Sequence, residues 1–180
     1  MILHLIRHPP PQIAEGTCYG HLDMPALGVE SAAERLRELL PAGIPVYCSP
    51  LARCRQLAEA LHPAPLPDPR LKEMHFGEWE GLRWDDIDVA LLDAWADDVA
   101  GYAPPGGECG WQVLARAQAF LNELTADEAV LVTHAGVMRA LLAHWQGVPA
   151  GGWLELRFDY AALTSVELLS GKARVLRVNT

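Results

Sequence analysis

The chain has 180 residues, 51% of them apolar and 21% charged, a size and composition that suit one globular domain over residues 1–180. No apolar run approaches the ~18 residues of a membrane-crossing helix, and no secretory leader pattern precedes the first apolar segment, so neither insertion nor export is expected. The formal charge of −9 argues against loose binding to nucleic acid or membranes and requires any anion site to be locally basic.

In chain order, Ile2–Ile6 is a short apolar run bounded by turn residues, the pattern of a strand buried on both faces of a mostly parallel sheet. Apolar positions Val29, Ala32, Ala33, Leu36, Leu39 and Leu40 recur at helical period within Leu27–Leu40, and Pro41 and Gly43 end that helix. Pro45–Cys48 reads as a second strand. Ser49 and Pro50 then read as N-cap and first residue of a helix reaching Leu61. The proline-dense stretch 62–69 is no helix but leaves room for an edge strand at Pro65–Pro67. Arg70–Gly81 should be irregular, with short helices at Trp84–Val89 and Ala90–Val99. A longer helix is expected over Gly110–Leu124, after the break at YAPPGGE. Residues 129–133 read as another buried strand, followed by a helix over Val137–Trp145. Strands near Leu163–Leu169 and Arg174–Val178 close the pattern, joined by a hairpin turn at Ser170, Gly171 and Lys172. The whole predicts an α/β domain with helices on both faces of the sheet.

Two of these strands end abruptly on histidine, at Arg7-His8 and at Thr133-His134-Ala135-Gly136. Ligands of open α/β sheets bind outside the carboxyl ends of the strands. If the two strands are neighbours, His8 and His134 meet there, with Arg7 beside them. The second turn also opens a helix, whose free N–H groups and dipole attract anions. Alternatively, Thr133 and His134 simply cap that helix. Arg53 lies near the start of a helix that follows a third strand, and alone it reads as an exposed helical arginine. Together, two arginines and two histidines at three strand ends suit a phosphoryl group, whose oxygens match the guanidinium fork. The two cations also make a metal unnecessary. An acidic partner should come from LKEMHFGEWEG, which offers Glu73, Glu78 and Glu80, and spacing does not choose among them. Cys18, Cys48, Cys54 and Cys109 show neither CxxC nor metal-ligand spacing, so reduced thiols in a cytoplasmic protein are expected.

The segments LIRH, SPLARCRQLAEAL, RLKEMHFGEWEG, PPGGE and VTHAG, in that order over about three quarters of the chain, resemble the histidine phosphatase, or phosphoglycerate mutase-like, superfamily. The resemblance implies a three-layer α/β/α sandwich with a mostly parallel central sheet and a phosphohistidine mechanism without a cofactor. It implies that His8 is the nucleophile and that Arg7, Arg53 and His134 form the phosphate pocket. Ala135, at the start of the following helix, joins them in binding substrate. Glu73 becomes the proton donor, and Glu78 and Glu80 become structural. Two departures stand out: Pro9 and Pro10 replace the family's usual Gly-Glu, and its loop asparagine falls near Ala14. Pro9 keeps a carbonyl that can accept the His8 ring N–H, while losing an N–H and locking φ.

Within the superfamily, the R-H-P-x-P start followed by GTCYGHLDMP looks most like bacterial α-ribazole phosphatases. Those remove the 5′-phosphate of α-ribazole phosphate, or of the corresponding cobalamin phosphate. The expected partner is therefore a small phosphorylated substrate, with no nucleic acid and no membrane. The alternatives are a broad sugar or organic phosphate phosphatase, a mutase-type enzyme, and a non-catalytic phosphate-binding protein. Tyr19, Trp79, Trp84, Tyr102 and Trp111 fall in segments expected to surround the site. Core packing is expected for most, and stacking on a benzimidazole for one or two.

Overall fold

The computed structural model describes residues 1–169 and 172–180. Its strands are β1 (Ile2–Arg7), β2 (Val46–Cys48), β3 (Leu66–Pro67), β4 (Glu128–Thr133), β5 (Leu163–Leu169) and β6 (Lys172–Arg177). Its helices are α1 (Val29–Leu39), α2 (Ala52–Leu61), α3 (Val89–Asp97), α4 (Gly110–Glu123) and α5 (Ala135–Gln146). The strands form one sheet in the order β3-β2-β4-β1-β5-β6. The first four run parallel, and β5 and β6 add an antiparallel margin.

Strand alternation sorts the side chains into two apolar layers. Leu3, Leu5, Ala129 and Leu131 pack against Phe120 and Leu124 at the end of α4 and Met138 and Leu142 of α5. Ile6, Val130 and Val132 face the other way, onto Ala33 and Leu36 of α1 and Cys54 and Leu57 of α2. Each large aliphatic buried this way contributes about 1.5–3 kcal/mol. The result is the expected three-layer sandwich, and it holds the ends of β1, β4 and β2 side by side. His4 is the polar exception inside β1; its ring nitrogens bond the Ser165 hydroxyl (2.8 Å) and the Glu128 carboxylate (2.9 Å).

Several boundaries differ from the sequence reading. Helix α2 starts at Ala52 rather than at Pro50. Ser49 Oγ is bonded to His134 Nε2 (2.9 Å), and the Ala52 N–H is capped instead by Asp23 Oδ1 (2.7 Å) from a remote loop. The helix expected over Trp84–Val89 is one 3-10 turn, Trp84–Asp86, because the Asp88 side chain caps α3 by accepting from the Ala90 N–H (2.8 Å). Val99 lies beyond α3, buried in the core. Helix α5 begins two residues before Val137, at Ala135. Lys172 belongs to β6 rather than to a turn, and Ser170 and Gly171, which the sequence reading placed in that turn, lie outside the described residues. Arg70–Gly81 is irregular apart from 3-10 turns at Pro69–Leu71 and Gly77–Trp79. The four cysteines are free thiols, and no described helix is long and apolar enough to cross a membrane.

Candidate active site

Parallel pairing places Arg7 opposite Thr133, so the next residue on each strand, His8 and His134, emerges at the same point. The His8 N–H continues the ladder to Thr133 O (3.0 Å), and the Ser49 N–H does the same to Val132 O (3.0 Å) from the end of β2. The two imidazoles meet edge to face with centroids 5.1 Å apart. Thr133 and His134 do not cap α5: the Thr133 hydroxyl donates to Leu71 O (2.8 Å), and the His134 ring turns to Ser49 and to Cys54 Sγ (3.4 Å).

His8 is 1% exposed. Its Nδ1 lies 2.7 Å from Pro9 O, an atom that can only accept, so the proton sits on Nδ1 and Nε2 keeps its lone pair. Burial and the Arg53 charge push its pKa down to about 3, the Arg7 charge adding to them and the Pro9 carbonyl opposing. His134 is fully buried, and its pKa is also driven well below the ordinary value by burial and then by Arg53. Both imidazoles are neutral at physiological pH, one with a free nitrogen suited to nucleophilic attack.

Arg53 is fully buried, not an exposed helical side chain. Its Nη1 donates to Leu22 O (2.8 Å) and its Nη2 to Gly20 O (2.7 Å), which tie it to the GTCYGHLDMP loop. Arg7 Nη1 donates to Phe158 O (2.7 Å). The Nε–H groups of both arginines are buried with no acceptor among the described residues. A buried, charged N–H without a partner is costly, so two of them near neutral His8 make an arrangement suited to an anion. Tyr19 and Tyr160 roof this space with their hydroxyls 2.7 Å apart. The Arg7 guanidinium lies 3.6 Å over the Tyr160 ring and that of Arg53 lies 5.2 Å from the Tyr19 ring.

Of the three candidate carboxylates, Glu73 is the one bonded to the turn after His134. Its Oε2 accepts from the Gly136 N–H (3.2 Å), two residues beyond His134, and its Oε1 from the Met74 N–H (2.9 Å). A Cβ at position 136 would collide with this carboxylate, so Gly136 is what lets it approach. Glu73 O accepts from His21 Nε2 (2.8 Å) and Arg116 Nη2 (2.9 Å), and Arg116 also holds Arg70 O and Lys72 O. Arg116 is clamped in turn by Glu108 of PPGGE (3.0 Å). That carboxyl, though burial pushes its pKa up, is held below the usual range by Arg116. Glu80 braces the loop by accepting from the N–H groups of His21, Leu22 and Phe76 (2.8, 2.8 and 3.0 Å), and Glu78 points to solvent.

Ala135 opens α5 beside His134, two residues ahead of the expected helix start, and is 5% exposed. Among the aromatics, Tyr19 roofs the site and Trp79 is buried in a small core with Cys18 and Ile87. Tyr102 stacks on Trp79, and Trp111 is half exposed against Trp153. The sequence reading missed Tyr160, Ser49 as the partner of His134, and Arg116 as the clamp on the Glu73 loop. Ser49 and Arg116 touch their partners across more than 40 residues, so no local pattern announces them.

The family model of the histidine phosphatase superfamily (branch 1) matches residues 3–180. The chain is 33% identical to the adenosylcobalamin/alpha-ribazole phosphatase of Escherichia coli, with 99% of this chain and 95% of that protein covered. It is 32% identical to the glucosyl-3-phosphoglycerate phosphatase of Mycolicibacterium vanbaalenii, over 84% of this chain and 76% of that one. The solved structure of a mycobacterial glucosyl-3-phosphoglycerate phosphatase with VO3 superposes with a TM-score of 0.87 at 28% identity, covering 99% and 98% of the two chains. With a full-length match and a phosphoglycerate mutase-like fold, this chain belongs to the histidine phosphatase superfamily.

Proposed function

We propose that the chain is a phosphomonoesterase working through a phosphohistidine on His8, and that its substrate is α-ribazole 5′-phosphate or the corresponding adenosylcobalamin phosphate. The observation that carries the chemistry is the pair of buried, acceptorless arginine Nε–H groups near a neutral, Nδ1-protonated His8. His8 Nε2 attacks phosphorus and forms an N–P bond as the ester P–O bond breaks. Glu73 gives its proton to the departing alkoxide. Water then attacks the phosphohistidine, Glu73 takes a proton from it, the N–P bond breaks, and orthophosphate leaves. Arg7, Arg53, His134 and the start of α5 at Ala135 hold the phosphoryl oxygens throughout, where charge accumulates in the transition state.

The substrate assignment is supported by the near full-length similarity to the α-ribazole phosphatase. A sugar-phosphoglycerate substrate is the second reading, favoured by the other relative at nearly the same identity. A cytoplasmic location accompanies both, supported by the four free thiols. The test is kinetic. Purified protein incubated with α-ribazole 5′-phosphate should yield an acid-labile, base-stable phosphoenzyme, absent in His8→Ala, and should turn that ester over faster than glucosyl-3-phosphoglycerate. Near wild-type hydrolysis by His8→Ala would overturn the mechanism; the reverse substrate order would replace the substrate.

A further inference from the structure

The proposed nucleophile is covered in this conformation. His8 is 1% exposed, and the Nε–H groups of Arg7 and Arg53 are buried as well, so a phosphate ester reaches Nε2 only after some covering group moves. The rings around the His8 imidazole differ in that respect. His134, with its centroid 5.1 Å away, is fully buried. Tyr160 and Tyr19, at 5.6 and 6.3 Å, reach the surface, Tyr160 being 38% exposed and Tyr19 half-buried.

One bond joins these two tyrosines across the site. Their hydroxyls meet at 2.7 Å, and among the described residues neither hydroxyl has another partner. The backbone beside each is tied down. Flanking Tyr19, the Cys18 N–H donates to Leu82 O (2.8 Å) and Gly20 O accepts from Arg53 Nη2 (2.7 Å). Flanking Tyr160, the Asp159 N–H donates to Asn179 Oδ1 (3.0 Å) and the Ala161 N–H to Arg7 O (3.0 Å). Ala161 has φ +54°, a left-handed conformation uncommon for a residue with a Cβ, so these bonds hold the turn against its local preference. With both backbones tied, side-chain rotation is the easier way to open, and exposed Tyr160 has solvent to turn into. Rotation breaks the hydroxyl bond and the contact with the Arg7 guanidinium, 3.6 Å over the ring.

We infer that the Tyr19–Tyr160 hydroxyl bond is a latch over His8, and that Tyr160 swings outward to admit the phosphate ester. The phosphatase reading above supplies only the identity of what enters. The latch adds a residue that controls access to the nucleophile without holding the phosphoryl group.

The test labels the protein at pH 7 with diethyl pyrocarbonate, which acylates unprotonated imidazoles, and reads each histidine by peptide mass spectrometry. Exposed His144 is the internal reference. In wild type His8 should react about 10–100-fold more slowly than His144, the closed latch being favoured by one hydroxyl bond and one cation–π contact. Tyr160→Phe keeps the ring over Arg7 and deletes the hydroxyl, and should speed His8 labelling about fivefold. Tyr19→Phe breaks the same bond and should give the same gain, and the double Phe variant should gain no more than either alone. Tyr160→Ala, which also removes the ring, should gain at least ~tenfold. His144 should not change in any of them. Melting curves show that each variant is folded, and the Phe variants carry the test if Tyr160→Ala is not. Wild-type His8 labelled as fast as His144, unchanged labelling in both Phe variants, or gains that multiply in the double variant overturns the latch. Labelling needs no turnover, so absence of a phosphoenzyme overturns the phosphatase reading and leaves the labelling result to decide the latch.

Discussion

The part of the candidate site around His8, Arg53 and His134 and the part around Glu73 are built differently. His8, Arg53 and His134 are 1%, 0% and 0% exposed, and they sit at the ends of β1, β2 and β4 or on the helix that follows. Their positions are set by backbone ladders and by the two apolar layers beneath. Burial then does chemical work, since desolvation keeps both imidazoles neutral beside two guanidinium groups. Glu73 is only partly buried and rides on an irregular segment. Arg116 and His21 hold that segment from outside and Glu80 from within, mostly through backbone groups. A rigid, dehydrated half suits a group that every substrate shares. A half assembled from loops and aromatic side chains can vary with the alcohol released.

The largest expected effect tests the rigid half. His8→Ala should lower turnover by about 10⁵-fold or more and abolish the phosphoenzyme, measured by rapid quench. Glu73→Gln should lose about 10²–10⁴-fold on a ribose 5′-phosphate ester yet little on an activated aryl phosphate, whose leaving group needs no proton. Glu78→Gln should show no such leaving-group dependence, and a selective loss in that variant would move the acid out of Glu73. Arg53→Lys keeps the charge and removes the fork that holds Gly20 O and Leu22 O, so turnover should fall about 10²-fold on both substrate types. An effect confined to one type would blur the division between the halves.

Stability should follow pH through the same buried imidazoles. His8 titrates near 3 in the folded chain against an ordinary 6.5, so between those values the unfolded chain takes up a proton that the folded one does not. The stability present above pH 6.5 is therefore lost as pH falls toward 3. Thermal melts from pH 7 to 4 should show Tm dropping, with a shallower slope in His8→Asn; equal slopes would show that His8 is not held neutral. The smallest effect is expected from chelation. If Arg7 and Arg53 supply the charge around a phosphate as proposed, EDTA should leave the rate unchanged, and a loss restored only by added metal would contradict that assignment.

Much of the phosphate-facing half is legible in the chain itself. Apolar runs ending on His8 and His134 announce buried parallel strands, and parallel strands deliver their carboxyl ends to one side of a sheet. The Pro9 carbonyl is readable as the ring partner of His8 for the same local reason, being one residue away. The start of α2 is not. Ser49-Pro50 carries a good helix-start signal, but the Ser49 hydroxyl divides between His134 (2.9 Å) and the Leu51 N–H (3.3 Å), and Asp23 caps the Ala52 N–H where α2 begins. The boundary is set by that distant aspartate as much as by the local signal.

The sequence by itself determined the alternation of strands and helices, the two histidines at strand ends, and the short set of carboxylates from which an acid must come. Those features depend on side-chain period and near neighbours, which the order of residues contains. Only the tertiary structure brought Glu73 to the turn after His134, set Tyr160 over Arg7, and gathered Phe76, Trp84, Trp95 and Arg139 around one cavity. Those outcomes depend on contacts between segments far apart in the chain. They form where chain folding brings donors, acceptors and ring faces together, and no local pattern in the residues encodes that meeting.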